Sequence, residues 1–445
     1  MPASVIDVGA LIERSPWTTY QKALTLLAAI AVIFDGFDIQ ILGFAIPSIM
    51  AEWHLKRAAF APVLAIGLAG MALGSPFAGY CGDRFGRRTT MIGCVALFGA
   101  ATIATAFARG IPELAILRFL TGMGAGGALP NASALVAEFA PVVRRPMAVT
   151  LTIVCVPLGG MIGGVGAARI LPAYGWHTLY VIGGMAPLLL GLALWVALPE
   201  SPRYLVRHPA RWNELARLLR RFGHALESGC GFTDPRETVK EGHSAIGALF
   251  SRGLRLDTVG LWIAFFASLN AVYLVFGWLP AMLTAQGLDL GAASSGLAAY
   301  NFGGVLGVLI WAVMVTYTGS RAPLLGGCVA GAASALALQL ILTRAPGTHT
   351  LLLAGIGLHG LFANAVQTTM YALAAHVYPT KIRASGVALA AAIGRLGAML
   401  SSFTGASLIQ LGSMAFLGVL AVSLLCAGIG LAIVRAHFAR PEARG

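Results

Sequence analysis

The sequence predicts an all-α membrane protein with twelve transmembrane helices in two pseudo-symmetric six-helix bundles. Of its 445 residues, 58% are hydrophobic and 11% are charged, and the mean hydropathy is +0.82. Apolar runs of about 20 residues, the length that crosses a bilayer, recur along the whole chain. Short stretches of the first half also recur at equivalent positions in the second half. A soluble globular protein of this size could not bury so much apolar surface.

Twelve apolar segments follow one another, each long enough to cross the hydrocarbon layer as a helix. A polar connection separates the sixth from the seventh, so we divide the chain into an N-terminal bundle at 1–198, a connecting segment at 199–256 and a C-terminal bundle at 257–445. The connection contains RHPARWNELARLLRRF, which predicts a basic amphipathic surface helix. The predicted membrane segments are 22–48, 58–80, 89–108, 113–137, 147–170, 176–198, 257–284, 292–316, 321–343, 349–377, 384–409 and 412–436.

Positive charges predict the orientation of the chain. Most of the 30 lysines and arginines lie in the termini and in the alternate loops on the same side, including the 199–256 connection. Cytoplasmic loops are enriched in these residues, so we expect both termini and the connection to be cytoplasmic. The same excess of lysine and arginine accounts for the net charge of +13. Nucleic-acid binding is therefore not needed to explain that charge. The opposite loops carry Lys56, Arg57, Arg109, Arg169 and Arg344.

A repeat relates the two halves. The stretches AEFAPVVRRPMA at 137–148 and AHVYPTKIRASG at 375–386 each end a membrane segment and align Arg145 with Arg383. Together with the six-plus-six layout, this repeat predicts duplicated bundles related by an axis along the membrane normal. Transporters use that design and place their binding site between the halves, near the bilayer midplane.

The loop after the second segment, GYCGDRFGRRTT at 79–90, combines a tight turn with clustered charge. Gly82 and Gly86 allow the bend, while Asp83 and the arginines can pair with charges on neighbouring helices. The pattern GxxxDRxGRR resembles the signature of the major facilitator superfamily. That resemblance implies the major facilitator fold of two six-helix bundles. The equivalent loop after the eighth segment, at 315–325, keeps a glycine and an arginine but lacks the aspartate.

Further stretches are similar to the aromatic acid:proton symporters, the family of 4-hydroxybenzoate and benzoate transporters. The more specific ones are DGFDIQILGFAIPSI and RFLTGMGAGGALPNASALVAEFAP, whereas LPESPRYL is shared with sugar porters. This resemblance implies import of a benzoate-type carboxylate with protons across a bacterial inner membrane. The stretches lie at 35–49, 118–141, 198–205, 276–283 and 378–399.

Two glycine-rich stretches have alternative interpretations. GMGAGG at 122–127 fits the pattern of a dinucleotide-binding loop, but it lies inside a membrane segment, where close helix packing is the better explanation. PLGGMIGGVG at 157–166 partly resembles a motif of drug/proton antiporters. It lacks the proline that usually precedes the final glycines, which weakly disfavours export.

Two acids interrupt the first apolar segment. Asp35 and Asp38 lie three residues apart and share one helix face. Ionisable groups inside a membrane are costly and are therefore functional candidates. Arg395, in the eleventh segment, lies at a similar depth, which places opposite charges from both bundles beside a central cavity. We expect Asp35 and Asp38 to carry the coupling proton and Arg395 to anchor an anionic substrate through its planar guanidinium group. The alternative is a permanent ion pair that only fixes packing.

Other candidates surround these charges. Arg118 either binds substrate or pairs with an acid of the first segment. An aromatic substrate also needs an apolar slot with a few polar groups, for which we select Tyr273, Asn301, Phe362 and Gln367, although each could instead serve in packing. A gating charge network is predicted at the cytoplasmic helix ends, comprising Asp83, Arg84, Arg87, Arg88, Glu138, Arg145 and Arg383.

These features predict a monomeric, multi-pass symporter whose partners are an aromatic acid, protons and the lipid bilayer. The six cysteines show no metal-ligand spacing, and the sequence has no nucleophile–base pair or ATP-binding loop. We therefore expect no metal, no cofactor and no enzymatic activity. Two alternatives stay open. The same fold could carry another solute, such as an aliphatic organic acid, a sugar or an exported drug, or the protein could sense aromatic acids on a transporter scaffold.

Overall fold

The computed structural model describes residues 5–226, 230–234, 249–251, 253–344, 348–379 and 382–438. Parts of the predicted divisions of the chain lie outside the described residues. These parts are 1–4 of the first bundle, 227–229, 235–248 and 252 of the connecting segment, and 345–347, 380–381 and 439–445 of the second bundle.

Long helices make up most of the described chain. A short helix, α1 (Val8–Arg14), precedes α2 (Thr19–Trp53), α3 (Ala61–Phe85), α4 (Arg87–Thr105), α5 (Ile111–Phe139) and α6 (Arg145–Ala197). Two short helices follow in the connection, α7 (Pro202–Val206) and α8 (Trp212–Arg221). The second half contains α9 (Arg255–Ala285), α10 (Leu290–Thr318), α11 (Arg321–Arg344), α12 (His349–Val377), α13 (Arg383–Leu411) and α14 (Ser413–Ile433).

The helix α6 contains two membrane crossings. Gly175 has φ 75° and ψ 176°, outside the helical region, and divides the element into helices at 145–174 and 176–197. Glycine is favoured there because a positive φ brings a Cβ atom into conflict with the backbone. Together with α2–α5 and α9–α14, the described residues hold twelve helices that are long enough to cross a membrane. Ten of these elements, with α6 counted once and α5 not included, are also apolar enough to do so. The fold class predicted from the sequence is confirmed.

Capping residues begin two of these helices. At the start of α2, Thr18 Oγ1 accepts a hydrogen bond from the Gln21 N–H at 3.3 Å, and Gln21 Oε1 accepts one from the Thr18 N–H at 2.8 Å. This reciprocal capping box satisfies backbone donors that have no partner within the helix. At the start of α10, the Asp289 carboxylate accepts a hydrogen bond from the Ala292 N–H at 2.7 Å.

Glycines set equivalent close contacts in the two bundles. In the first, α5 meets α3 at Gly122, where an added Cβ would lie 2.1 Å from the Gly67 carbonyl oxygen. In the second, α12 meets α10 at Gly360, where an added Cβ would lie 2.0 Å from the Tyr300 carbonyl oxygen. Small residues thus bring the two backbones of each pair together. The GMGAGG stretch at 122–127 lies in this helix contact.

The two ends of the molecule differ in how the bundles meet. We call the end that carries residue 5 and the described part of the connection the terminal face, and the opposite end the far face. At the far face, one hydrophobic cluster joins both bundles and includes Trp176 of the first and Trp278 of the second. Toward the terminal face lie two clusters, one in each bundle, and the second-bundle cluster reaches the first bundle at Leu68. The bundles therefore share one hydrophobic core at the far face and have separate hydrophobic cores toward the terminal face.

A small cap covers the first bundle at the terminal face. The strand β1 (Val5–Asp7) pairs in parallel with β2 (Gly231–Thr233), and α1, α7 and α8 belong to the same region. Leu215, Leu218 and Leu219 of α8 are buried in the first-bundle cluster. The amphipathic helix expected in the connection is thus present over the residues of α8, whereas the strand pair was not predicted.

Candidate functional site

The middle of α2 holds the two acids inside the protein. Asp35 and Asp38 are 1% and 2% exposed. Between them, Gly36 packs directly against α6, where an added Cβ would lie 2.1 Å from the Val156 carbonyl oxygen. This close backbone contact fixes the position of α2 and therefore of both carboxylates.

Asp38 belongs to a polar cluster within the first bundle. Its Oδ2 lies 3.6 Å from Arg118 Nη1, its Oδ1 accepts a hydrogen bond from Thr102 Oγ1 at 2.7 Å, and its carbonyl oxygen accepts one from Arg118 Nη2 at 3.1 Å. The Tyr180 side chain, from the second part of α6, lies within electrostatic range of both charges. Arg118 therefore pairs with an acid of the first helix. Neither Thr102 nor Tyr180 was selected from the sequence.

Asp35 has different surroundings. Its Oδ1 is buried and has no hydrogen-bond partner in the described part of the chain. The charges that act on it are Asp38, which repels a carboxylate, and Arg395, which attracts one. An ionised carboxylate is costly to bury without a partner. Asp35 is therefore suited to gain and lose a proton as its surroundings change.

Arg395 comes from α13 in the other bundle and is half-buried. Its charge acts on Asp35 and on two tyrosines, Tyr273 of α9 and Tyr371 of α12. Among the described residues, no carboxylate forms a salt bridge with Arg395 within 4.0 Å. Its guanidinium group can therefore accept an incoming anion in bidentate geometry.

A narrow cavity between the bundles is lined by Asp38 and Arg118, but Asp35 and Arg395, which we expected beside a central cavity, are not part of its lining. Its lining includes Asp38, Met71 and Arg118 from the first bundle and Tyr273 and Ser402 from the second. Its volume is about 30 Å³, whereas an engineered apolar cavity known to bind benzene has a volume of about 150 Å³. The cavity must therefore widen before it can admit an aromatic ring.

Of the other predicted substrate-binding residues, Tyr273 lines this cavity, whereas Phe362 and Gln367 are not part of its lining. The Tyr273 ring contacts Phe276 at a centroid distance of 5.6 Å. Phe362 lies edge-on to Trp311 within the second bundle, with 5.9 Å between ring centroids. Gln367 is half-buried on α12. A substrate contact for these side chains stays a prediction.

Asn301, the remaining predicted binding residue, instead connects the two bundles. Its Nδ2 donates a hydrogen bond to Gln40 Oε1 at 2.7 Å, and Gln40 Nε2 donates one to Asn301 Oδ1 at 3.2 Å. Both side chains are fully buried. Gly160 of α6 leaves space for this pair, since an added Cβ would lie 2.1 Å from Gln40 Nε2. The two amides satisfy one another, which leaves Asn301 less able to bind a substrate in this conformation.

The predicted gating residues form a charge network at the terminal face of the first bundle. Arg87 Nε donates to Glu138 Oε1 at 2.9 Å, and Arg87 Nη2 lies 3.3 Å from Asp83 Oδ1. Ser201 Oγ donates a hydrogen bond to the other oxygen of Glu138. Three of the predicted residues are thus brought together, in a network that also uses a serine from the connection.

The PESPRYL stretch, at 199–205, contacts the junction between α3 and α4 through Glu200. Glu200 Oε1 accepts hydrogen bonds from the backbone N–H groups of Arg88 at 3.0 Å and Ser201 at 2.9 Å. It therefore caps the start of α4. Gly86 has φ 98° at this junction, and an added Cβ would lie 2.2 Å from Glu200 Oε2. Only glycine fits both the backbone angle and the approach of the carboxylate.

The other predicted gating arginines bind nearby groups individually. Arg84 Nη1 donates to Tyr80 Oη at 2.7 Å, and Arg145 Nη2 lies 3.4 Å from Glu13 Oε1. Arg88 Nη2 donates to the Trp195 carbonyl oxygen, and Arg383 Nε donates to the Tyr378 carbonyl oxygen at 3.3 Å. These four contacts thus lie within single bundles or the cap. Within the described ranges, no group of three His, Cys, Asp or Glu side chains is placed to hold a metal ion.

Comparisons with known proteins agree with this arrangement. The family model described as Major Facilitator Superfamily matches residues 28–344 and 261–444. A gallate transporter of Pseudomonas putida is 36% identical over 92% of this chain and 90% of that protein. The 4-hydroxybenzoate transporter PcaK of Pseudomonas putida is also 36% identical, with the same coverage of both chains. The crystal structure of a D-xylose-proton symporter matches with a TM-score of 0.74 at 20% identity, covering 94% of this chain and 99% of that chain. This structural likeness bears on the fold alone.

Proposed function

Because this chain belongs to the major facilitator superfamily, we propose that it imports an aromatic carboxylate of the benzoate or hydroxybenzoate type together with one or more protons. The chain is a transporter of this superfamily and not an enzyme, and the resemblance of its sequence to aromatic acid transporters is confirmed. The proposal places it as a monomer in a bacterial inner membrane, with the terminal face in the cytoplasm.

Substrate class is supported by the relatives and by the chemistry of Arg395. Gallate and 4-hydroxybenzoate, the compounds in the relatives' names, are ring carboxylates. A planar guanidinium group matches a carboxylate through two parallel hydrogen bonds. Tyr273 and Tyr371, which lie within range of the same guanidinium group, can contact an aromatic ring or its substituents.

The observation that carries the proposal is the unpaired Asp35 of one bundle within electrostatic range of Arg395 of the other. While Arg395 is unoccupied, its positive charge stabilises an ionised Asp35. A bound substrate carboxylate neutralises Arg395 and removes that stabilisation, so Asp35 takes up a proton. Substrate and proton binding thereby favour one another, which is the requirement for symport.

Alternating access is supported by the uneven packing of the bundles. They share a hydrophobic core at the far face and are separate toward the terminal face. With a cytoplasmic terminal face, this conformation is inward-facing. Import then requires that far-face contacts, including the Gln40–Asn301 pair, break while the terminal face closes.

Uptake measurements test the proposal. The purified chain is reconstituted in proteoliposomes with an inward proton gradient and supplied with radiolabelled 4-hydroxybenzoate, gallate or neutral benzyl alcohol. We expect accumulation of at least one acid above its external concentration, loss of accumulation with an uncoupler, and no accumulation of the alcohol. Equal transport of the alcohol would contradict the role of Arg395, and accumulation that survives the uncoupler would contradict proton coupling.

A further inference from the structure

A basic groove lies at the terminal face, away from the central cavity. It is formed between the start of α2, the start of α4, the end of α6 and the surface helix α8. Its volume is about 260 Å³, and its lining includes Tyr20, Arg88, Val196, Arg217 and Arg221. The candidate transport site includes neither Arg217 nor Arg221, the two arginines of α8 that line this groove.

Positive charge predominates in the groove. Arg217 and Arg221 lie one turn apart on α8, and both are exposed. The carboxylate of Glu214, which also lines the groove, already accepts two hydrogen bonds from Arg211 at 2.9 and 2.8 Å. Arg221 is held over the Tyr20 ring, with 5.5 Å to its centroid, and donates to Tyr20 Oη at 3.2 Å. The groove therefore offers preorganised donors to an anion.

Arg88 supplies the third guanidinium group of the groove. It is half-buried, lies 5.9 Å from the Trp195 ring centroid, and donates through Nη2 to the Trp195 carbonyl oxygen. Its Nε is buried without a hydrogen-bond partner among the described residues. The nearby Glu200 does not neutralise this group through a side-chain bond, since the contact it makes to Arg88 is to the backbone N–H.

An apolar stripe runs from this groove along the outer surface of α6. Leu189, Leu192, Trp195 and Val196 are 63%, 65%, 64% and 80% exposed. They occupy the last turns of a membrane-crossing helix, so the stripe faces lipid tails and Trp195 lies near the interface. A molecule with an anionic head and apolar chains matches both surfaces at once.

We propose that the groove binds an anionic phospholipid, with its phosphate between Arg88, Arg217 and Arg221 and its chains along the stripe on α6. Clusters of basic residues beside membrane helices bind such headgroups. The bound lipid connects α8 and the cap to α4 and α6, and so stabilises the first bundle. The proposal does not depend on the transported substrate.

Thermal unfolding of the delipidated full chain in a neutral detergent tests this site. The additions are phosphatidylglycerol, phosphatidylcholine or sodium phosphate at low ionic strength, since salt screens the interaction. We expect phosphatidylglycerol alone to raise the unfolding temperature. In the variant Arg217→Gln/Arg221→Gln, the lipid concentration needed for half of the shift should rise about fivefold for each arginine removed. The control is Arg220→Gln, since Arg220 is exposed on the same helix but does not line the groove.

Three outcomes would overturn the proposal. One is an equal shift with phosphatidylcholine, and another is an equal response of the double variant and the control. The third is an equal shift with sodium phosphate, which would indicate a site for free anions. If the double variant does not fold, Arg217→Gln alone retains the contact of Arg221 with Tyr20. Native mass spectrometry of the unaltered chain gives a second measurement, in which phosphatidylglycerol should remain bound in preference to phosphatidylcholine.

Discussion

Asp35 and Asp38 are the same amino acid, one helical turn apart, yet the structure gives them different partners. Asp38 has an arginine and a threonine, whereas Asp35 has a buried oxygen without a hydrogen bond. The sequence places both acids on one face of a helix but does not distinguish them. Thr102 and Tyr180 lie near Asp38 in the folded protein. Both are ordinary polar residues in apolar helices, and no sequence pattern marks them as neighbours of an acid.

Asp35→Asn should abolish proton-driven accumulation of the acid while leaving the yield of folded protein unchanged. The amide cannot titrate, and no ion pair of the described structure is lost with the charge. Radiolabel uptake with and without a proton gradient measures the effect, and exchange of internal for external substrate should persist. Asp35→Glu should recover part of the accumulation. Normal uphill uptake by the asparagine variant would exclude Asp35 from coupling.

Asp38→Asn should lower stability as well as activity. It removes the charge that pairs with Arg118, whose guanidinium group would remain buried without an anion. Breaking one side of a buried ion pair costs about 3 kcal/mol or more. The unfolding temperature of the purified variant should therefore fall below that of Asp35→Asn. Equal unfolding temperatures for the two variants would show that the pair contributes little to folding.

Arg395→Lys should weaken recognition of the carboxylate although the positive charge remains. Lysine cannot form the two parallel hydrogen bonds of a guanidinium group. The loss of one charge-assisted hydrogen bond predicts an increase in KM of about tenfold or more. Initial uptake rates over a range of acid concentrations measure it, with Arg321→Lys, an exposed position at the start of α11, as the control. An unchanged KM would remove Arg395 from the substrate site.

At the scale of elements, the α3–α4 junction depends on a contact across a long stretch of sequence. Glu200 reaches back to the start of α4, where the positive φ of Gly86 creates the space for its carboxylate. The GxxxDRxGRR motif predicts a tight turn at this position. Its partner in the PESPRYL stretch could not be assigned from the sequence, because nothing in either motif specifies the other.

Gly86→Ala should therefore destabilise the protein. Gly86 has φ 98° and ψ 147°, a region adopted almost only by glycine, in which another residue is strained by roughly 1–3 kcal/mol, and the added Cβ would also displace Glu200. The matched control is Gly79→Ala in α3, where an added Cβ meets nothing within 4 Å and alanine favours the helix. Thermal unfolding should show a clear decrease for Gly86→Ala and none for Gly79→Ala. A similar result for both would contradict the role of the junction.

The membrane-crossing helices are the most predictable elements, because each of them needs a long apolar run in the sequence. The less predictable features are those set by contacts between distant residues. Gln40 and Asn301 form hydrogen bonds across the bundles, which the sequence did not indicate, and the substrate contact of Asn301 stays a prediction. The parallel pairing of β1 with β2 joins the N-terminal residues to the connection and has no local pattern that predicts it.

At the scale of the whole molecule, the proposed transport cycle requires the bundles to separate at the far face. Gly291 of α10 lies close to Ala168 of α6 there, since an added Cβ would be 3.1 Å from the Ala168 carbonyl oxygen. We expect a disulfide between Ala168→Cys and Gly291→Cys, in a background without the six native cysteines, to abolish uptake. Reduction should restore it, and each single variant should transport normally. Full uptake by the cross-linked protein would contradict alternating access through this face.

The shared core at the far face also makes the cycle sensitive to temperature. Opening that face exposes apolar side chains to water, whereas several of the groups described at the terminal face are charged. Hydration of apolar surface raises the heat capacity, and its unfavourable free energy decreases on cooling. Cold should therefore shift the resting population toward the conformation that is open at the far face, and warming should shift it back.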